Sequence, residues 1–442
     1  MQFCSEEFLF VFLPLFLAVY YLNPERFRNL ILAVGSLCFY ALGFRGQLWQ
    51  TALLLGLTVG TWLWAKAVGR WQNKWLTVLG VAALAAVLTF FKLWKGGSML
   101  APGMSFFLFQ MAAFLMDVPK KDGLVQQSLV DYSAQILMFP KLLSGPLCSP
   151  GELWKQTWSR GYLPEQFHEG LQKLILGIGM KTILADRLGG LWSQAAVVGY
   201  DGISTPFAWM ALACYSLRLY LDFFAYSLMA RGLGDMLGFY LPRNFRDPYW
   251  AKSVSEFYRR WHITLGAWFR TYIYIPLGGS RKGLGRTILN LGVVWLVTGL
   301  WHGIGWGYLI WAGFLFFCIV NERLWLGRVL EKVPVLGHLY TPFVIVLSWV
   351  PFGVVDPHRS LLLLQRLFGV GTAVNPLDYV NYIGSYGPLI LVGAVLCSPL
   401  PEKIWHRIKD SLWADVLLFG LFWVSMYFMS TSAGNPFLYF QF

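Results

Sequence analysis

His262 lies in the stretch EFYRRWHITLGAWFRTYIYIPLGGSRKG, residues 256–283, and His302 in LWHGIGW, residues 300–306, with one apolar segment between them. Imidazoles in such apolar surroundings need a reason. An unperturbed imidazole has a pKa of about 6.5, and burial among apolar groups favours its neutral form. A neutral histidine can serve as a general base, and such a base acting on a hydroxyl contributes about 10²- to 10⁴-fold in rate. The competing reading for each is a buried histidine that only satisfies hydrogen bonds. No Ser-His-Asp order, GxSxG turn or HExxH pair accompanies them, so hydrolase or zinc chemistry is not supported.

The neighbours supply charge. Read as one helix, residues 255–275 put Glu256 and Arg260 one turn apart, where they can neutralise each other. Tyr258, His262, Leu265 and Phe269 fall on an adjoining face, so His262 looks inward. Gly278 and Gly279 then lead into Arg281 and Lys282, with Arg286 beyond. These three cations could hold the phosphates of a donor such as coenzyme A, although GGSRKG lacks the spacing of a phosphate-binding P-loop and also reads as a basic cytoplasmic turn. Trp301 borders His302. The candidate site is therefore His302 and His262 as catalytic groups, with Arg281, Lys282, Arg286, Trp301, Glu256 and Arg260 as substrate- or donor-binding groups. No metal is expected.

The elements that position these residues are membrane helices. Of 442 residues, 57% are hydrophobic and only 13% charged, against roughly 25% charged in soluble domains. Mean hydropathy is +0.54. Apolar segments recur at 8–21, 30–44, 51–64, 76–91, 207–224, 289–300, 308–320, 343–352, 389–397 and 416–429. Several fall short of the roughly 20 residues of a full span, so about ten to thirteen helices are expected, some tilted, broken or re-entrant. The first starts with Glu6 and Glu7 rather than a basic run, and reads as a permanent helix instead of a signal peptide.

The net charge of +13 collects in connecting stretches, such as Arg26 and Arg28 or Lys403, Arg407 and Lys409, as positive-inside loops do. No nucleic-acid partner is expected from this charge, because no basic domain stands apart from the helices. The six cysteines lack CxxC or metal-type spacing and read as small core residues. Two regions look broken. MFPKLLSGPL, residues 138–147, places prolines in an apolar run, and residues 217–250 carry Arg218, Asp222, Arg231 and Asp235, with Arg218 and Asp222 spaced to pair on a helix.

FLFVFLPLFLAVYY, RNLILAVGSLCFYAL, GMSFFLFQ, FPKLLSGPL, GLQKLILGIGMKTILADRL, NFRDPYW, the RRWH to LWHG pair and the terminal NPFLYFQF together resemble the membrane-bound O-acyltransferase (MBOAT) family, in the bacterial branch of alginate O-acetylation. The resemblance covers nearly the whole chain. It implies an all-α membrane domain over residues 1–442, a ring of helices around a central funnel. N-terminal hairpins would occupy 1–96, a catalytic core with re-entrant segments 97–322, and C-terminal helices 323–442. It also implies His302 as the essential residue and His262 as its support.

The activity implied is acetyl transfer from a cytoplasmic donor, acetyl-CoA, across a bacterial inner membrane to an exported polysaccharide. An SGNH-type extracytoplasmic or small membrane-anchored partner would receive the acetyl group, and no cofactor would be bound permanently. Leu228 and Arg243 stand where the family has acidic residues, which bears on the partner or polysaccharide more than on the chemistry. Two other readings stay open: D-alanyl transfer to teichoic acid from a carrier-protein thioester, and a polysaccharide or lipid transporter without catalysis.

Overall fold

Long apolar runs separated by short polar breaks fold here into helices. No strand occurs among the described residues, which are 2–44, 47–94, 100–120, 123–158, 160–431 and 437 of this computed structural model. The terminal NPFLYFQF, apart from Phe437, lies outside them. Eight of the ten apolar segments fall inside helices, and the other two, 30–44 and 389–397, run one residue past theirs. Two compact units result. The first comprises Met1–Ile178, Tyr226–Pro242 and Met429–Gln441; the second comprises Gly179–Ala225 and Arg243–Phe428, together with Phe442.

The first unit opens with a π-helical turn, Glu7–Phe12, continued by α1 (Leu13–Leu22), α2 (Arg28–Gly43), α3 (Leu48–Trp71) and α4 (Lys74–Leu93). α3 stops because Gln72 adopts a left-handed φ of 48° and its N–H turns back to the Val68 carbonyl. α4 starts at once, because the Asn73 side chain accepts a 2.9 Å bond from the Trp75 N–H. Only Gly80 and Leu84 of α4 are buried, while Trp75, Val78, Leu79, Phe90 and Leu93 are exposed. Apolar surface of this extent suits lipid contact.

Then come α5 (Met104–Asp117), α6 (Leu129–Leu137), the four-residue α7 (Phe139–Leu142), α8 (Pro150–Trp158) and α9 (Pro164–Gly179). The break expected from the prolines is present: Met138 leaves helical geometry with ψ 106°, Pro140 lies in α7, and the chain stays buried from Tyr132 to Leu147. Phe139 packs against Phe16 and Phe39 at ring-centroid distances of 5.2 and 5.4 Å. Lys141 is fully buried and donates to the Gln110 side-chain oxygen, Oε1.

The second unit takes over at Gly179. A π-turn, Met180–Ala185, leads into α10 (Asp186–Val198), and α11 (Thr205–Met236) carries its first part in this unit and its remainder in the first. Lys181 is buried with two carboxylates, Asp186 at 2.6 Å and Asp222 at 2.7 Å. Pairing between helices therefore replaces the Arg218–Asp222 pair expected within one: a buried ammonium needs compensating charge, and Asp222 supplies it. The Arg218 guanidinium instead lies over Gly189, where a Cβ would sit 2.5 Å from its Nη1.

The elements around the histidines are α12 (Val254–Arg260), α13 (Ile263–Phe269), α14 (Gly283–His302), α15 (Trp306–Asn321), α16 (Gly327–Lys332) and α17 (Pro334–Gly353). They are followed by α18 (Pro357–Leu367), α19 (Val380–Leu396), α20 (Leu400–Ile408) and α21 (Leu412–Thr431). Among the described residues, six helices are long and apolar enough to cross a membrane: α3, α4, α14, the continuous helix Trp306–Lys332, α17 and α21. The pair α19 and α20, bent by 73°, makes seven if it is one broken span. This is an all-α polytopic membrane protein.

Candidate active site

Residues 255–275, expected as one helix, form two short ones and a π-turn, Arg270–Tyr274. The break falls on the histidine. His262 adopts φ 46°, ψ 52°, left-handed backbone that a non-glycine residue takes uncommonly, so it occupies a corner instead of a helix face. α12 begins on Ser253, whose hydroxyl accepts from the Glu256 N–H at 3.0 Å, and Glu256 in turn accepts from the Lys252 N–H at 2.9 Å. This reciprocal arrangement resembles a capping box. The expected Glu256–Arg260 pair is present at 2.5 Å, one turn apart.

The corner is held from NFRDPYW. The Ile263 N–H bonds the Asn244 carbonyl at 2.9 Å, and the Arg246 N–H bonds the Arg260 carbonyl at 3.0 Å. The Asn244 Oδ1 accepts from the Thr264 N–H at 3.3 Å and hydroxyl at 2.6 Å, and lies 3.3 Å from His262 Nδ1. A backbone N–H can only donate, so the atom it meets is the amide oxygen. His262 Nδ1 must then carry the proton, which leaves Nε2 as the acceptor nitrogen. His262 is 4% exposed and lies outside the helices long enough to span. Burial pushes its pKa down from 6.5 to about 3.

His302 is the last residue of α14 and is 6% exposed. Its ring centroid lies 4.5 Å from Trp301, 5.0 Å from Phe352, 5.1 Å from Trp311 and 6.3 Å from Tyr308. Close helix packing builds this box. A Cβ at Gly303 would lie 2.4 Å from the Tyr308 ring, and one at Gly307 would lie 2.3 Å from the Pro351 carbonyl oxygen. Trp301 also lies 6.4 Å from His262, which itself packs edge-on to Phe223 at 4.8 Å. The structure thus brings the two histidines and Trp301 together.

The other named residues sit differently. Glu256 and Arg260 are tied to the start and end of α12. Arg281, Lys282 and Arg286 are exposed around a turn that carries positive φ at Gly278, Gly279 and Gly283. Arg286 Nε donates to the Leu277 carbonyl at 3.2 Å, and Asn290 Nδ2 to the Gly279 carbonyl at 2.9 Å.

Two residues of this site went unnoticed in the sequence, Asn244 and Glu322. Glu322 is 6% exposed, and its carboxylate accepts from the Val254 N–H at 2.6 Å, the Ser255 N–H at 2.9 Å and the Ser255 hydroxyl at 2.7 Å. It anchors the first turn of α12. The only signal was an acid closing an apolar run, overshadowed by the adjacent Arg323. Glu322→Ala is expected to strip these acceptors and lower stability by about 1–3 kcal/mol, read as a fall in Tm of the detergent-solubilised protein, with Glu322→Gln recovering part. An unchanged Tm for the alanine variant would refute the anchoring role.

These features describe a multi-pass membrane protein in which two buried histidines share Trp301 as a neighbour. Residues 62–347 match the model of MBOAT, the membrane-bound O-acyltransferase family, and the chain belongs to that family. It is similar to the probable alginate O-acetylase AlgI of Pseudomonas putida, 31% identical with both chains covered completely. The corresponding Pseudomonas aeruginosa protein is 33% identical over 90% of this chain and 81% of its own. A peptidoglycan O-acetyltransferase of Helicobacter pylori is 30% identical over 83% of this chain and 80% of its own. The protein is an O-acyltransferase.

Proposed function

We propose that the acyl group is acetyl and the donor acetyl-CoA, reached from the cytoplasmic side of a bacterial inner membrane. The acceptor is a hydroxyl on the outer side, on an exported polysaccharide or on an extracytoplasmic SGNH-type partner that passes the group on. The observation that carries this reading is the position of His302: a buried imidazole inside an aromatic box, at the end of a helix long enough to cross the membrane. In this reading a ring nitrogen of His302 takes the acceptor hydroxyl proton as its oxygen attacks the thioester carbonyl. The carbon–sulfur bond breaks, and the coenzyme A thiolate leaves and is protonated. His262, with so low a proton affinity, is poorly matched as the base near neutral pH and instead supports the site.

Similarity to alginate and peptidoglycan O-acetylating proteins favours acetyl. A teichoic acid D-alanyltransferase of Lacticaseibacillus rhamnosus is also similar, but at 27% identity over 69% of this chain. Transfer of labelled acetyl from acetyl-CoA by the purified protein, with and without the product of a neighbouring gene, tests the reading. Label reaching a hydroxyl acceptor supports it; label moving only from a carrier-protein thioester turns it toward D-alanyl transfer.

The exposed Arg281, Lys282 and Arg286 suit a role in gathering the donor's phosphates. Exposed charge contacts are individually worth about 0–1 kcal/mol and are screened by salt. Reversing all three to glutamate is expected to raise the KM for acetyl-CoA by about tenfold at low ionic strength, and by less at high. A KM unaffected at low salt removes them from the donor site.

A further inference from the structure

A cleft of about 430 Å³ opens in the first unit, lined by Leu17, Tyr21, Arg28, Tyr162 and Phe167. Its walls are apolar or aromatic except for one guanidinium, that of Arg28, which is only 8% exposed. α1 ends at Asn23 in extended backbone, and a 3-10 turn, Glu25–Phe27, leads directly into Arg28. The surroundings have the composition of a membrane–water boundary: Leu22, Trp158, Tyr162 and Leu163 are all more than half exposed.

The cation is built in from several sides. Arg28 Nη1 donates to the Arg160 carbonyl at 3.1 Å and pairs with Glu25 at 2.9 Å. Its guanidinium lies 5.5 Å from the Tyr21 ring centroid, and its buried Nε has no hydrogen-bond partner among the described residues. A second guanidinium adjoins it: Arg160 donates to the Tyr20 hydroxyl at 2.7 Å and to Asn29 Oδ1 at 2.5 Å. The two lie 5.7 and 5.8 Å from the same Tyr20 ring. Against them stands Glu25, 70% exposed, and a solvated carboxylate yields readily to a better-placed anion.

We infer that this cleft binds an anionic phospholipid, with its phosphate on Arg28 and an acyl chain along Leu17 and Phe167. A guanidinium presents paired donors that match phosphate oxygens, and the apolar walls take what a free phosphate would leave uncovered. The residues belong to the first unit and the histidines to the second, so the site does not depend on the acyl group transferred.

The test uses the full-length protein in detergent, with native mass spectrometry and thermal unfolding. Phosphatidylglycerol, phosphatidylcholine of the same chains and inorganic phosphate are compared at equal concentration. Phosphatidylglycerol is expected to stay bound and raise Tm, and the other two are not. Arg28→Gln is expected to weaken phosphatidylglycerol binding about tenfold, the loss of one charge-assisted contact, while the exposed Arg26→Gln leaves it unchanged. Should Arg28→Gln fold poorly, Tyr162→Ala removes an exposed wall of the cleft and is expected to weaken binding as well. Equal binding of phosphatidylcholine, equal protection by inorganic phosphate, or undiminished phosphatidylglycerol binding by the folded variants would each overturn the inference.

Discussion

His302→Ala is expected to lower the rate of acyl transfer by about 10²- to 10⁴-fold, the contribution of a positioned general base. The effect belongs in kcat, because the proton moves only as the acceptor oxygen attacks, while donor binding rests on other groups. Truncating a ring that touches Trp301, Trp311 and Phe352 also leaves a cavity, so stability falls with it. His302→Gln separates the two effects, since it fills more of the space yet cannot take up the proton near neutral pH. Both variants should accumulate in the membrane and elute as monodisperse protein, and both should show this loss of rate. Full transfer by a folded His302→Gln protein would move the chemistry away from this residue.

The helical architecture was legible because its cause is local. Apolar runs, glycine and proline breaks and charged connections lie along the chain itself, and each of the ten apolar segments coincides with helix to within one residue at its end. The runs understate helix length because helices continue into polar ends, as α3 does through Lys66 and Arg70 to Trp71. The two histidines were legible as ionisable groups in apolar sequence. What escaped was tertiary. Helical spacing placed His262 on a helix face, whereas bonds from Asn244, 18 residues upstream, hold it at a corner. Spacing likewise paired Asp222 with Arg218, whereas Lys181, on another element, reaches it. Glu322 acts on residues 67 and 68 positions away, a separation that no periodicity encodes.

Asn244→Ala is expected to cut kcat by about tenfold to a hundredfold with little change in KM, because misplacing a site group by about 1 Å can cost 10²-fold. The alanine retains the backbone bond to Ile263 but removes Oδ1, the atom that sets the His262 tautomer and bonds Thr264. A positioning role predicts more than a loss of rate. In the wild type His262 stays neutral down to about pH 3, so it adds no limb to the activity profile near neutrality. The unfolded chain takes up a proton near pH 6.5 that the folded chain refuses, so stability falls as pH drops from about 6.5 toward 3 and is unaffected above that range. Asn244→Asp places a carboxylate against Nδ1, which favours the charged ring. It should raise the proton affinity of His262, bring an acid limb into the measured pH range and weaken the acid sensitivity of folding. If Asn244→Ala keeps wild-type kcat, and Asn244→Asp keeps the wild-type pH profile, the Asn244–His262 contact is structural alone, and the chemistry must be assigned to His302 without this support.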